Sequence, residues 1–209
     1  MVKSEKSKEK RGTEALIFEA AKKVFGLKGL EGARMQEIAD EAGINKALLH
    51  YYFRSKERLF EAVFTDIFQS FFPRATGIMA DMNISFEEKI RKFTDVYISL
   101  IQENPYIPGF MLHQLSKGGP VNIVSAFKKA GVKPELFFLQ VQQEIEKGNI
   151  IPVNPLHLIV NLLSMCVFPF IARPILSGFI LKDAGDYDRF LEERKKEIPQ
   201  FIINSIQKK

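Results

Sequence analysis

The 209-residue chain has one cysteine, no tryptophan and three histidines. A lone Cys166 excludes an intrachain disulfide, and with His50, His113 and His157 scattered it cannot supply a zinc cluster, so no metal site is expected. That usage fits a reducing cytosol. The N-terminal MVKSEKSKEKRG is basic but has no apolar stretch behind it, unlike a secretory signal. No Gly-rich phosphate loop is present, because Gly118-Gly119 runs into Pro120, which lacks an amide donor. Glu87-Glu88 and Glu192-Glu193 are adjacent pairs on amphipathic stretches and read as surface charge. Cys166 lies in an apolar run with no base near it in sequence, which suits a structural thiol rather than a nucleophile. No catalytic residue and no cofactor is therefore expected. Strand-like alternation and internal repeats are missing too. The longest apolar stretch, residues 155–181, is interrupted by Asn161, Ser164, Pro169, Arg173 and Pro174, so no membrane span is expected and the stretch reads as a helix buried on more than one side.

What is present is helical periodicity and an uneven charge. Residues 1–60 carry 13 Lys/Arg against 9 Asp/Glu, while residues 61–209 carry 17 against 16. Phenylalanine is skewed the other way, with 15 of 19 after residue 60. One end suits an anionic partner and the other suits burial.

Residues 1–10 are almost free of apolar side chains and read as a flexible basic arm. Ile17, Ala20, Ala21, Val24 and Phe25 then share one helical face, with Thr13 a candidate N-cap and Gly29 a candidate stop. Met35, Ile38, Ala39 and Ala42 form a second, two-turn face. Gly43 can take positive φ to end it, and Asn45 can cap the next helix, KALLHYYF. Ser55 can cap a fourth helix, which Pro73 ends or bends. Further helices follow from Ser85, with Glu88 as its capping-box partner, through 110–115, 121–131, 134–149 and 187–207. Pro105, Pro108 and Gly109 break the pattern, and residues 117–120 form a loop. The fold class is all-α.

Two short helices joined by a Gly-containing turn, inside the basic end, form the pattern of a helix-turn-helix that reads DNA. Leu49 and Phe53 can face inward with Ile44, which leaves Lys46, Ala47, His50 and Tyr51 outward. Lys46 can donate to guanine edges or phosphate, Ala47 permits close approach, and Leu48 can meet a thymine methyl. Tyr51 and Tyr52 suit either phosphate contact or packing between helices three and four.

AAKKVFGLKG followed by MQEIADEAGINKALLHYYFRSKERLFEAVF resembles the TetR (tetracycline-repressor-like) family of transcriptional regulators. The resemblance covers residues 11–64. It implies a three-helix DNA-binding head over 11–55, then a larger ligand-binding and dimerisation domain over 56–209. By matching position, it puts Asn45, Lys46, Ala47 and Leu48 near bases, and His50, Tyr51, Tyr52 and Lys56 near phosphates. Arg34 and Gln36 border the DNA. Two departures stand out. Arg34 replaces the usual Thr or Ser cap, and His50 replaces a Tyr.

The resemblance further implies a homodimer through the last two long helices, two heads on a palindromic operator of double-stranded DNA, and a small-molecule pocket among the middle helices. Candidate lining residues are Phe64, Phe68, Phe93, Tyr97, Phe110, Met111, His113, Phe138, Met165 and Phe168, each of which also suits plain core packing. A pocket of that kind suits a lipophilic effector, so the expected function is a ligand-responsive regulator, a repressor. The rival is an all-α ligand carrier or small helical enzyme whose basic end meets an acidic partner or a membrane surface. It has no reason to possess the 34–58 block.

Overall fold

The structure is a computed structural model and describes residues 2–117, 123–181, 183 and 185–208. Those residues form α-helices and one π-helical turn; among them no β-strand forms beyond an isolated bridge between Ile150 and Gln207. The helices are α1 (Val2–Gly32), α2 (Met35–Glu41), α3 (Lys46–Tyr52), α4 (Lys56–Ala80), α5 (Phe86–Glu103), α6 (Ile107–Lys117), α7 (Ile123–Lys129), α8 (Pro134–Glu146), α9 (Pro155–Ile171), α10 (Arg173–Ile175) and α11 (Asp186–Ile206). The π-helical turn is Leu176–Ile180. The all-α class holds. No single helix among the described residues is long and apolar enough to cross a membrane.

Several boundaries follow local chemistry. Gly29 takes φ 66° and kinks α1 where a stop is expected. The Ser85 hydroxyl accepts from the Glu88 N–H at 3.2 Å and opens α5. Two boundaries differ from the sequence reading, and a third settles a point it leaves open. α1 runs through Thr13 and takes in the segment expected as an arm, whose Lys and Glu are good helix formers with no Gly or Pro before Gly12. Of the two outcomes open at Pro73, it does not end α4 but sits inside it. The 155–181 stretch is not one helix but breaks after α9 at Ala172, ahead of Pro174. The loop expected at 117–120 lies, apart from Lys117, outside the described residues.

The chain divides into two compact units. The first comprises residues 1–69 and 106–128, and the second residues 70–105 and 129–209. In the first, α6 packs on α1 and α2 packs on α1 and α3. The α1–α6 crossing is tight because both helices have bare Cα atoms there. A Cβ on Gly109 would lie 2.4 Å from the Gly26 carbonyl oxygen, and one on Gly26 would lie 2.6 Å from the Tyr106 Cβ. Phe110 stacks on Phe60 at 4.6 Å, and Phe25 meets Phe60 edge-on at 5.0 Å.

In the second unit, α5 packs against α11, α9 and α8 around Phe86, Ile90, Phe93, Ile98, Phe137, Leu162, Leu191 and Ile198. Buried Lys89 donates to the Met79 carbonyl at 2.9 Å, at the last turn of α4, where a cation favours the helix dipole. Burial lowers the pKa of this ammonium. The Tyr187 hydroxyl donates to the Pro169 carbonyl at 3.1 Å, and the Arg173 guanidinium lies 4.8 Å above the Tyr187 ring.

Candidate nucleic-acid interface

The first unit's core sets the pose of two short helices. Ile17, Ala20, Ala21, Val24 and Phe25 of α1 are buried, as are Ile38 and Ala39 of α2 and Leu49 of α3. Each short helix is thus anchored on one side only. At the turn, Gly43 takes φ 66°, and its N–H donates to the Asp40 carbonyl at 3.1 Å. A Cβ there would meet nothing within 4 Å, so it is backbone conformation, not space, that calls for glycine. The Asn45 side-chain oxygen accepts from the Leu48 N–H at 2.8 Å and fixes the start of α3. The Phe18 and Phe53 rings meet edge-on at 5.7 Å and tie the end of α3 to α1.

The start of α2 is capped by another route. Arg34 has no acceptor to offer, but the Glu37 carboxylate accepts from the Arg34 N–H at 3.3 Å. Glu37 also pairs with Lys28 at 2.9 Å. The Lys28 bond, and after it the Arg34 N–H, hold the Glu37 carboxyl below its ordinary value.

One face then remains in water. Arg34, Gln36, Asn45, Lys46, Ala47, Leu48, His50 and Tyr51 are all exposed. The two tyrosines part company. Tyr51 is 74% exposed, while Tyr52 is half-buried and meets it edge-on at 5.5 Å. Gln36 donates to Asp40 at 2.7 Å. Lys56 is half-buried, and its ammonium donates to the Ala33 carbonyl at 3.1 Å and to that of Glu31 at 3.3 Å. It therefore ties α4 to the junction between α1 and α2. One of its three N–H groups remains for another acceptor.

Ion pairing sorts the positive charge. Lys22 pairs with Glu19 and Asp66, Lys23 with Glu41, and Lys28 with Glu37. Among the described residues, Arg34, Lys46, Arg54 and Arg58 have no carboxylate in ion-pair range. All four lie between the start of α2 and the first turn of α4. Among the described side chains, these unmatched cations thus lie on the helix-turn-helix side. Arg54 and Arg58 join the candidates from that geometry. The sequence shows the charges but not which are already matched.

The model of the family "Bacterial regulatory proteins, tetR family" matches residues 17–63, the span that holds this buried anchor, turn and exposed face. Residues 17–63 match the TetR family's DNA-binding region, and the longer relatives support the same family for the chain. TetR-family regulators bind DNA and form dimers. The chain is 27% identical over 184 residues to the HTH-type transcriptional repressor NicS of Pseudomonas putida, covering 81% of each. It superposes on HlyIIR, a hemolysin II transcriptional regulator, with a TM-score of 0.64 at 24% identity over 95% of this chain and 99% of that one. A TetR-family structure from Marinobacter aquaeolei gives 0.69 at 16% identity, over 97% and 100%. These two likenesses show the fold.

The ten candidate ligand-lining residues fall five in each unit. In the first, Phe64, Phe68 and Phe110 form a packed cluster, with Phe64 and Phe68 stacked at 4.4 Å. Met111 is half-buried, and the His113 ring lies against Gly29 at the α1 kink. In the second, Phe93 and Tyr97 stack at 5.3 Å, Phe138 and Met165 are half-buried, and Phe168 is 63% exposed. Cys166 is fully buried, and burial pushes its thiol up to about 12.

Proposed function

We propose that this chain is a repressor that binds a palindromic operator as a homodimer and is released by a lipophilic small molecule. The observation that carries the DNA reading is the one-sided anchoring of α3. Leu49 is buried, while Asn45, Lys46, Ala47, Leu48, His50 and Tyr51 stand outward. In this reading Lys46, Ala47 and Leu48 meet base edges, with Asn45 setting the pitch of α3 and offering its amide. Arg34, Gln36, His50, Tyr51 and Tyr52 border the phosphates, and Lys56 adds its remaining N–H. Residues 11–55 are the reading head. A surplus of 13 Lys/Arg over 9 Asp/Glu in residues 1–60 is a weak grip for a single head, which supports binding by two heads at half-sites roughly 34–36 Å apart.

The dimer reading is supported by α9. Its inner face buries Leu158, Leu162 and Cys166, yet Leu156, Val160, Phe168 and Ile171 on the opposite side stay exposed, as does Phe201 of α11. A second copy would cover them. The effector reading is supported by the apolar cluster of Phe93, Tyr97, Phe138 and Met165 in the second unit. Effector binding shifts the separation of the heads, and heads at the wrong spacing cannot both dock.

Selection of bound duplexes from a random pool at physiological salt tests this. An enriched inverted repeat is expected, and Lys46→Ala then relaxes base preference at its position. A pool that shows no enrichment refutes the operator reading and favours a carrier.

A further inference from the structure

Downstream of α9 the chain does something unusual for a connection between two helices. Residues 173–180 form a three-residue helical turn and then a π-helical turn, closed by the Leu181 N–H donating to the Leu176 carbonyl at 2.7 Å. The segment is held to its own unit. Leu176 and Leu181 pack on the core, and Arg173 stacks over Tyr187. Yet its outer side presents Ile175 at 61%, Phe179 at 88% and Ile180 at 59% exposure. Side chains this apolar are not left in water on a segment that is itself fixed in place.

The exposed stripe of α9 ends with Phe168 and Ile171, immediately before this segment in the chain. Area supports treating the two as one face. With about 150–200 Å² for each large apolar side chain, the exposed parts of the α9 residues and Phe201 offer on the order of 500 Å². A standard interface needs about 800 Å² per partner, and Ile175, Phe179 and Ile180 supply the difference. Charge argues against a membrane as the occupant. From residue 155 to residue 181 the only formal charge is Arg173, whereas a membrane-docking face carries a rim of Lys and Arg.

We propose that residues 173–180 are a clasp that extends the dimer face and closes over a second copy of this chain, with Phe179 as its anchor. The inference rests on the dimer reading above, and its test separates the two. Dimer dissociation of the full chain is measured by dilution for wild type, Phe179→Ser, Phe179→Leu and Phe168→Ser. Because Phe179 is so exposed within one copy, its substitution leaves the helical circular dichroism of the single copy unchanged. Phe179→Ser removes two anchors per dimer, each contributing about tenfold, so the dissociation constant rises about a hundredfold or more. Phe179→Leu restores most of it. A constant unchanged by Phe179→Ser but raised by Phe168→Ser overturns the clasp and leaves the dimer face standing. Constants unchanged by both overturn clasp and dimer face together. Flotation of the wild type with anionic vesicles, lost in Phe179→Ser while dimerisation is unaffected, overturns the clasp in favour of a lipid surface.

Discussion

Replacing Gly109 by Ala sets two effects of opposite sign against each other. Gly109 lies inside α6, where alanine's better helix propensity alone would stabilise by about 1 kcal/mol. The added Cβ, however, would lie 2.4 Å from the Gly26 carbonyl oxygen, against an ordinary contact of 3.4–4 Å. Both colliding groups are held in helical backbone, so no side chain can rotate out of the way. α6 must withdraw from α1 by about 1 Å, which loosens the Phe110 ring from Phe60 and Phe25. Overpacking of this kind costs about 1–3 kcal/mol or more. The steric effect wins, and a net loss of about 1–2 kcal/mol is expected. The assay is urea unfolding followed by far-ultraviolet circular dichroism, since the chain has no tryptophan to report by fluorescence. Gly77→Ala is the control. Gly77 is inside α4 and a Cβ there meets nothing within 4 Å, so that change should stabilise by about 0.5–1 kcal/mol. If Gly109→Ala stabilises as Gly77→Ala does, the close crossing of α1 and α6 is refuted.

Three further predictions concern the head. Lys56→Ala removes the bonds to the Glu31 and Ala33 carbonyls and should lower stability by about 1–2 kcal/mol, with affinity for a selected duplex falling alongside; unchanged stability would mean those carbonyls do not hold the ammonium. Asn45→Ala should cost about 1 kcal/mol and Asn45→Ser very little, because a hydroxyl can still accept from the Leu48 N–H; equal losses would show that the cap is not what matters there. Glu37, held below its ordinary value of 4.5, contributes fully above that pH and loses its contribution as pH falls through the lowered value. The stability difference between wild type and Glu37→Gln should therefore be flat from about pH 7 to 5 and shrink in stronger acid. A difference that widens in acid contradicts the pairing.

The legible parts of the head were those written within a few residues of each other. The Gly43 turn, the Asn45 cap, the Ser55 hydroxyl accepting from the Arg58 N–H at 3.3 Å and the inward Leu49 all appear as the local pattern suggests. Arg34 was legible as a lost cap but not as a site already served by Glu37, because the bond runs to a backbone N–H that any residue carries. Residues 105–109 read as a break in the pattern. Pro108 and Gly109 in fact lie in the first turn of α6, and Gly109 is there because another helix passes close by. Which aromatic side chains gather together was also hidden, since one periodicity serves core and pocket alike.

The sequence by itself determined most of the helical elements, the helix-turn-helix and the resemblance to the TetR family, because caps, turns and a 3.6-residue period act over one or two turns of chain. Tertiary structure alone decided which cations remain unmatched. Lys22 reaches Asp66, Lys23 reaches Glu41, and their neighbours in composition, Arg34 and Lys46, reach no carboxylate. It alone brought Gly26 under Gly109 and left Phe168 and Phe179 outward while Leu162 and Cys166 went in. Such pairings depend on where distant segments come to rest. Only packing, which sums over the whole unit, sets that.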